Sequence, residues 1–109
     1  MHLHVYLHNI PPSAVVYDYV ATKMGGLAAL APDILSRYVV VLRSERPAVP
    51  GRFRANALVV VSGTDLHAIG VGDDPRAAVD RVSAILVAQL RRRKRVRCQR
   101  RHPAAEGGQ

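Results

Sequence analysis

The residues with the clearest chemical meaning form a basic run near the carboxyl end of the sequence. Eight lysines and arginines fall within residues 91–101, so residues 91–109 carry +7 (8 basic, 1 acidic) and residues 1–90 only +1 (8 basic, 7 acidic). Cations this close repel one another along a helix, and a polyanion relieves the repulsion. The alternative is a solvated helix end whose cations complement the helix dipole, but that would require only one or two cations. The run therefore predicts contact with a nucleic-acid backbone, whose phosphates pair with guanidinium groups and release counterions.

Membrane contact is a weaker interpretation because the run has no Trp, Phe or Leu to bury beside its cations. No apolar stretch reaches the roughly 18 residues of a membrane span, and the amino-terminal sequence lacks the pattern of a secretory signal. The single cysteine, Cys98, excludes an intrachain disulfide and is typical of a reducing compartment. Its arginine neighbours favour a reactive thiol, but a free cysteine in the tail is the preferred interpretation. We expect a cytoplasmic protein with no membrane partner.

Histidines suggest a metal site. In a strand, His2, His4 and His8 share one face, with His67 as a candidate from another strand. No cysteine or carboxylate stands nearby at a ligand spacing, so surface histidines are favoured and we predict no metal. The sequence also lacks a glycine-rich phosphate loop, a nucleophile elbow and a Cys-His-Asp motif. It therefore predicts no enzyme, no cofactor and no small-molecule substrate.

Alternation and turn signals predict the strands that must position these residues. Polar and apolar residues alternate over His2–His8, which is the period of a half-buried strand. Runs rich in β-branched residues predict strands over Ile34–Arg43 and Arg52–Ser62. A tight turn at Ser62-Gly63-Thr64 leads into a fourth strand over Asp65–Val71. Successive strands with short connections predict an antiparallel meander.

Two helices complete the predicted architecture. The first begins after Pro11-Pro12-Ser13 and weakens or kinks at Gly25-Gly26. Asp73 or Asp74 is a suitable N-cap for the second, with Pro75 at its first position. The apolar stripe of this helix, which continues toward the basic run, is formed by Val79, Val82, Leu86 and Leu90. The order β-α-β-β-β-α predicts one α+β domain of two layers, with both helices on one face of a four-stranded sheet.

Two segments of the sequence resemble a known family. One is Asn9-Ile10-Pro11-Pro12-Ser13-Ala14, which leads to Asp18-Tyr19-Val20 and Lys23. The more specific one is Leu66-His67-Ala68, followed by Asp73-Asp74-Pro75-Arg76-Ala77-Ala78-Val79-Asp80. The chain is similar to the short form of the ribosome hibernation promoting factor and ribosome-associated inhibitor family, also called sigma-modulation proteins. The resemblance implies a domain over residues 2–97 and a basic, then flexible, tail over residues 98–109.

This resemblance also implies a function. A member of the family binds the small ribosomal subunit and its rRNA in the channel for mRNA and tRNA. It inhibits translation under stress or in stationary phase by steric occlusion, with no reaction catalysed. Basic residues of both helices contact the rRNA in the family. The RNA-binding residues predicted for this chain are Lys23, Arg76, Arg81, Arg91, Arg92, Arg93, Lys94, Arg95 and Arg97.

The sequence departs from the family pattern in the placement of its charges. Family members carry Lys, Glu and Arg in the middle of the second helix, where this chain has Ile85, Val87 and Ala88. A Met-Tyr pair at the start of that helix is replaced by Pro75-Arg76. The chain is therefore a divergent member whose charge is shifted toward the carboxyl end. The alternative function is a general RNA- or DNA-binding, or nucleoid-associated, protein with a basic C-terminal helix.

Alternation also places apolar residues on both faces of the predicted sheet. If one set faces the helices, the opposite face, here called the outer face, receives Tyr6, Tyr38, Val40, Leu42, Leu58, Val60, Ile69 and Val71. Soluble monomers tolerate only a few hundred Å² of contiguous apolar surface. We therefore predict a homodimer through the outer face, the alternative being a register error of one residue in a strand or two. A subunit that pairs through this face, with a merely solubilising tail, is a third functional class.

Overall fold

The part of the chain that the structure describes forms four strands and two α-helices in the predicted order. The computed structural model describes residues 2–43 and 52–107, with side chains for residues 2–43 and 52–96. The strands are β1 (His2–His8), β2 (Ile34–Arg43), β3 (Phe53–Val61) and β4 (Thr64–Gly72), and the helices are α1 (Ala14–Gly25) and α2 (Pro75–Gly107). The predicted α+β class and element order are confirmed. The division into domain and flexible tail at residue 97 stays a prediction, although α2 itself continues past that residue.

The strands form a single sheet in the order β1-β2-β3-β4. β1 pairs in parallel with β2, from His2 opposite Ser36 to His8 opposite Leu42, because α1 returns the chain between them. β2, β3 and β4 form the predicted antiparallel meander. Gly63 adopts φ +85° in the tight turn between β3 and β4, a conformation that glycine adopts without steric cost.

Side-chain caps determine where both helices begin. The Ser13 hydroxyl accepts a hydrogen bond from a backbone amide in the first turn of α1, at 3.4 Å. Asp74 caps α2 in the same way at 2.7 Å, and Pro75 takes the first helical position, where an N–H is not needed. Both starts agree with the sequence prediction. α1 ends at Gly25 and continues as a short 3-10 helix, Gly26–Ala29, which is where the glycine pair predicts a weakening.

Both helices pack on one face of the sheet, and the core lies between the two layers. Its largest fully buried side chains are Val20, Met24, Leu27, Val39, Val41, Val59, Val79, Val82, Leu86 and Leu90. α2 approaches β4 closely at Gly70 and Gly72, where an added Cβ would come within 2.6 Å of helix atoms. These glycines therefore allow the helix to lie directly against the strand.

No helix covers the outer face of the sheet in the described residues. The eight apolar residues predicted for this face all lie on it, because side chains alternate along each paired strand. Tyr6 and Ile69 are the most exposed of them, at 58% and 59%. On the face that packs against the helices, the described residues include one buried charge, Arg37 of β2, which lies beneath α1.

Candidate nucleic-acid interface

The basic run is part of α2, and the apolar stripe of this helix packs against the sheet. Val79, Val82 and Leu86 are fully buried and Leu90 is 1% exposed, as the stripe predicts. Immediately after Leu90, the helix presents a group of exposed cations, here called the α2 cations: Arg91, Arg92, Lys94 and Arg95. Among the described residues, none of the four forms an ion pair with a carboxylate. The helix therefore displays four uncompensated charges within about one and a half turns of a fixed scaffold.

Arg93 lies in the same run but has a different environment. Its guanidinium donates to both carboxylate oxygens of Asp33, with Nη1–Oδ1 at 3.2 Å and Nη2–Oδ2 at 2.5 Å. Nη2 also donates to the carbonyl oxygen of Ser62 at 3.2 Å. The side chain is only 14% exposed. Arg93 thus fastens α2 to the residue preceding β2 and to the end of β3, and this contact orients the α2 cations.

A second cationic group, here called the interhelical cluster, joins α1 to α2. Lys23 of α1 pairs with Asp80 of α2 at 3.3 Å. The ammonium of Lys23 and the guanidinium of Arg76 lie 5.6 Å and 5.4 Å from the centroid of the Tyr19 ring, at cation–π distance. The Tyr19 hydroxyl donates to Asp80. This hydrogen bond is the main reason why the pKa of the Asp80 carboxyl lies below its ordinary value and that of Tyr19 above it.

The predicted RNA-binding residues therefore fall into separate groups. Lys23 and Arg76 meet in the interhelical cluster, whereas the α2 cations lie 15 residues farther along the helix, or roughly 22 Å at 1.5 Å per residue. Arg81 is exposed on α2 between the two groups. The side chain of Arg97 lies outside the described residues. Whether any of these residues contacts RNA stays a prediction.

Sequence reasoning missed the polar contacts that connect distant segments. Arg37 is 8% exposed, and its Nη1 donates to the carbonyl oxygen of Met24 at 2.8 Å, near the end of α1. Burial lowers the pKa of Arg37. Gln89 of α2 donates from Nε2 to the His67 carbonyl oxygen of the edge strand at 2.9 Å. The sequence does contain a signal for Arg37, because alternation places this arginine at an inward position of its strand. No comparable signal marks Gln89 or Asp33.

The histidines do not assemble into a metal site in the described part of the chain. His2, His4 and His8 share the outer face as predicted, but the ring of His4 stacks on Tyr38, with centroids 4.8 Å apart. His67 is on the same face three strands away, roughly 14 Å at the usual strand spacing. No three His, Cys, Asp or Glu side chains are placed to hold an ion within the described residues. Neither helix, over the same residues, is long and apolar enough to cross a membrane.

Fold and site together define a two-layer α+β protein with a cationic helix surface. Over residues 3–97 the sequence matches the model of the family described as Sigma 54 modulation protein / S30EA ribosomal protein. The chain belongs to this family, which confirms the resemblance seen in the sequence. The family is one of ribosome-associated factors and not a known enzyme class.

Solved structures share the fold. A ribosomal subunit interface protein from Coxiella burnetii has a TM-score of 0.75 and 18% sequence identity, covering 86% of this chain and 98% of that one. The Protein Y N-terminal domain from Thermus thermophilus has a TM-score of 0.72 and 24% identity, covering 84% of this chain and 98% of that one. No curated protein sequence matches the chain. At these identities the likeness establishes the architecture.

Proposed function

We propose that this chain binds the small ribosomal subunit through its rRNA and occupies the channel used by mRNA and tRNA. Binding would inhibit translation under stress or in stationary phase, and would place the protein in the cytoplasm. The observation that carries the proposal is the group of four exposed α2 cations in a chain of a ribosome-associated family. The inhibition is steric, because a folded body in the channel excludes the other RNAs without any covalent step.

The α2 cations suit phosphate because they are neither buried nor neutralised. An exposed guanidinium keeps its donors for two oxygens of one phosphate, and each neutralised phosphate releases counterions. Rigid attachment of α2 also favours phosphate binding, since cations already held on one surface lose less conformational entropy on binding. The apolar stripe and the Arg93–Asp33 ion pair provide that attachment.

The interhelical cluster contributes less to this proposed site. Asp80 partly neutralises Lys23, and the Tyr19 ring lies against the charged groups of both Lys23 and Arg76. RNA must therefore compete with an internal carboxylate for Lys23, whereas no carboxylate among the described side chains pairs with the α2 cations. We assign the larger share of the binding free energy to the carboxyl-terminal half of α2.

Co-sedimentation with purified small subunits at increasing salt tests the proposal. Binding should survive salt concentrations that release the protein from bulk RNA and from duplex DNA, because a shaped site adds contacts beyond phosphate charge. Replacing Arg91 and Arg92 by alanine should weaken binding and reduce the slope of log K against log salt by up to about two. The control replaces Arg43 and Arg52 by alanine, which removes the same charge from exposed positions at the opposite end of the sheet.

The outcomes separate the proposal from its alternative. Release from subunits, bulk RNA and DNA at the same salt concentration would favour a general nucleic-acid-binding protein. An equal loss of binding in the Arg43 and Arg52 control would remove the α2 cations from the site. Subunits that bind the chain yet still accept mRNA and tRNA at full affinity would contradict occlusion of the channel.

A further inference from the structure

The outer face of the sheet is the largest surface that the proposed function leaves unused. Each strand places four side chains on this face, and the register of the strands aligns them in four rows across the sheet. Half of them are the eight apolar residues named above, and Tyr6 and Ile69 expose more than half of their surface. Two charges, Arg54 and Asp65, and four histidines stand among them in the described residues.

The area of this face suits a contact between two proteins. The strands contain 7, 10, 9 and 9 residues. The sheet therefore measures roughly 30 Å along the strands and roughly 19 Å across them, or on the order of 560 Å² in projection. Two such faces total on the order of 1,100 Å², which reaches the roughly 1,000 Å² that a specific interface requires.

We propose that the occupant of this face is a second copy of the chain, packed sheet to sheet. Two sheets that stack face to face pack about 10 Å apart. The helices and the α2 cations then lie on the two outer sides of the dimer. The dimer therefore leaves the proposed RNA-binding surface accessible.

Charge complementarity supports pairing with an identical face. A two-fold axis across the strands, at the middle of the face, superposes the row that holds Arg54 on the row that holds Asp65. Arg54 is then roughly one strand spacing, about 4.8 Å, to the side of Asp65 of the second copy. A long arginine side chain spans this offset, and the symmetry forms the contact twice. The formal charges of the described face are thereby paired with each other.

The same axis brings histidines together. His2 and His8 end the outer face of β1, so His2 of one copy lies over His8 of the other. His4 lies over Tyr6, and His67 of β4 over Ile69. Four histidines per copy thus become part of the contact between the two faces.

Sedimentation equilibrium of the full chain over a micromolar concentration range tests the proposal. Near pH 8 the mass should be twice that of one chain, while circular dichroism reports the folded state. Ile69→Lys should raise the dissociation constant at least about tenfold. Val15→Lys is the matched control, because Val15 is 57% exposed on α1, away from the sheet face, and Ile69 is 59% exposed.

A second set of variants keeps the test independent of folding defects. Arg54→Asp should weaken the dimer, and adding Asp65→Arg should restore it, because the exchanged charges still attract. A single-chain mass near pH 8 at every concentration would overturn the interface, as would equal effects of Ile69→Lys and Val15→Lys.

One further outcome would assign the face to a different partner. A monomer in which Ile69→Lys abolishes co-sedimentation with small subunits would assign the face to the ribosome instead of to a second copy. The dimer and the proposed function are thus tested separately, since subunit binding relies on the α2 cations.

Discussion

Replacing Arg93 by alanine removes two hydrogen bonds to Asp33 and one to the carbonyl oxygen of Ser62. The two side chains are 14% and 27% exposed, so the ion pair is intermediate between a surface pair and a buried one. Surface pairs contribute about 0–1 kcal/mol, whereas breaking a buried pair costs about 3–5 kcal/mol. We therefore expect the free energy of unfolding to fall by about 2 kcal/mol, which for a domain of this size lowers Tm by about 10 °C.

Urea and thermal denaturation followed by circular dichroism measure this effect, and Arg92→Ala is the matched control. Arg92 is the adjacent residue with the same chemistry but an exposed side chain, so its loss should change stability by less than about 0.5 kcal/mol. In the subunit-binding assay the ranking of the two variants should reverse, with Arg92→Ala reducing the salt dependence of binding more than Arg93→Ala does. A double-mutant cycle with Asp33→Ala should give a coupling energy of about 1–2 kcal/mol.

Two results would refute the reasoning. If Arg93→Ala unfolds at the same urea concentration as the unmodified chain and shows no coupling to Asp33, the ion pair does not anchor α2. A folded Arg93→Ala variant that loses as much salt dependence as Arg92→Ala would return Arg93 to the RNA-binding surface as the sequence predicts.

The remaining predictions concern packing and pH. Gly70→Ala should destabilise the fold by about 1–3 kcal/mol, because the new Cβ would lie 2.6 Å from the backbone of α2. Gly25→Ala, with no atom within 4 Å, is its control and should be neutral or stabilising in thermal unfolding. Tyr19→Phe should lower stability near neutral pH. Because the pKa of Asp80 is lowered, the stabilisation by the Tyr19–Asp80 hydrogen bond is present above about pH 4 and is lost as the pH falls further. A stability difference between Tyr19→Phe and the unmodified chain that does not vary with pH would contradict this prediction.

The local elements were predictable from the sequence because short-range signals agree with one another. Alternation places β1 at His2–His8, and the caps at Ser13 and Asp74 place both helix starts within the residues that supply them. The stripe through Leu86 and Leu90 requires α2 to continue into the basic run, since those residues repeat with the period of the helix. Such signals depend on neighbours a few residues apart.

The candidate site was predictable in composition but not in detail. A run of cations predicts a polyanion partner from charge alone, without knowledge of the fold. Which cations are available depends on partners far away in the sequence: Arg93 meets Asp33, 60 residues earlier. Lys23 likewise meets Asp80 of the other helix. No periodicity records contacts of this kind.

The sequence by itself determined the α+β class, the order of elements, the apolar outer face and the position of the charge, because each follows from composition or from a period of two or 3.6 residues. Only the tertiary structure decided which charges are compensated within the protein. It buried Arg37 against the end of α1, directed Arg93 into an ion pair and separated His67 from His4 by the width of the sheet. The physical reason is that desolvation and ion pairing depend on distances in space between elements, which are set by the packing of the whole core.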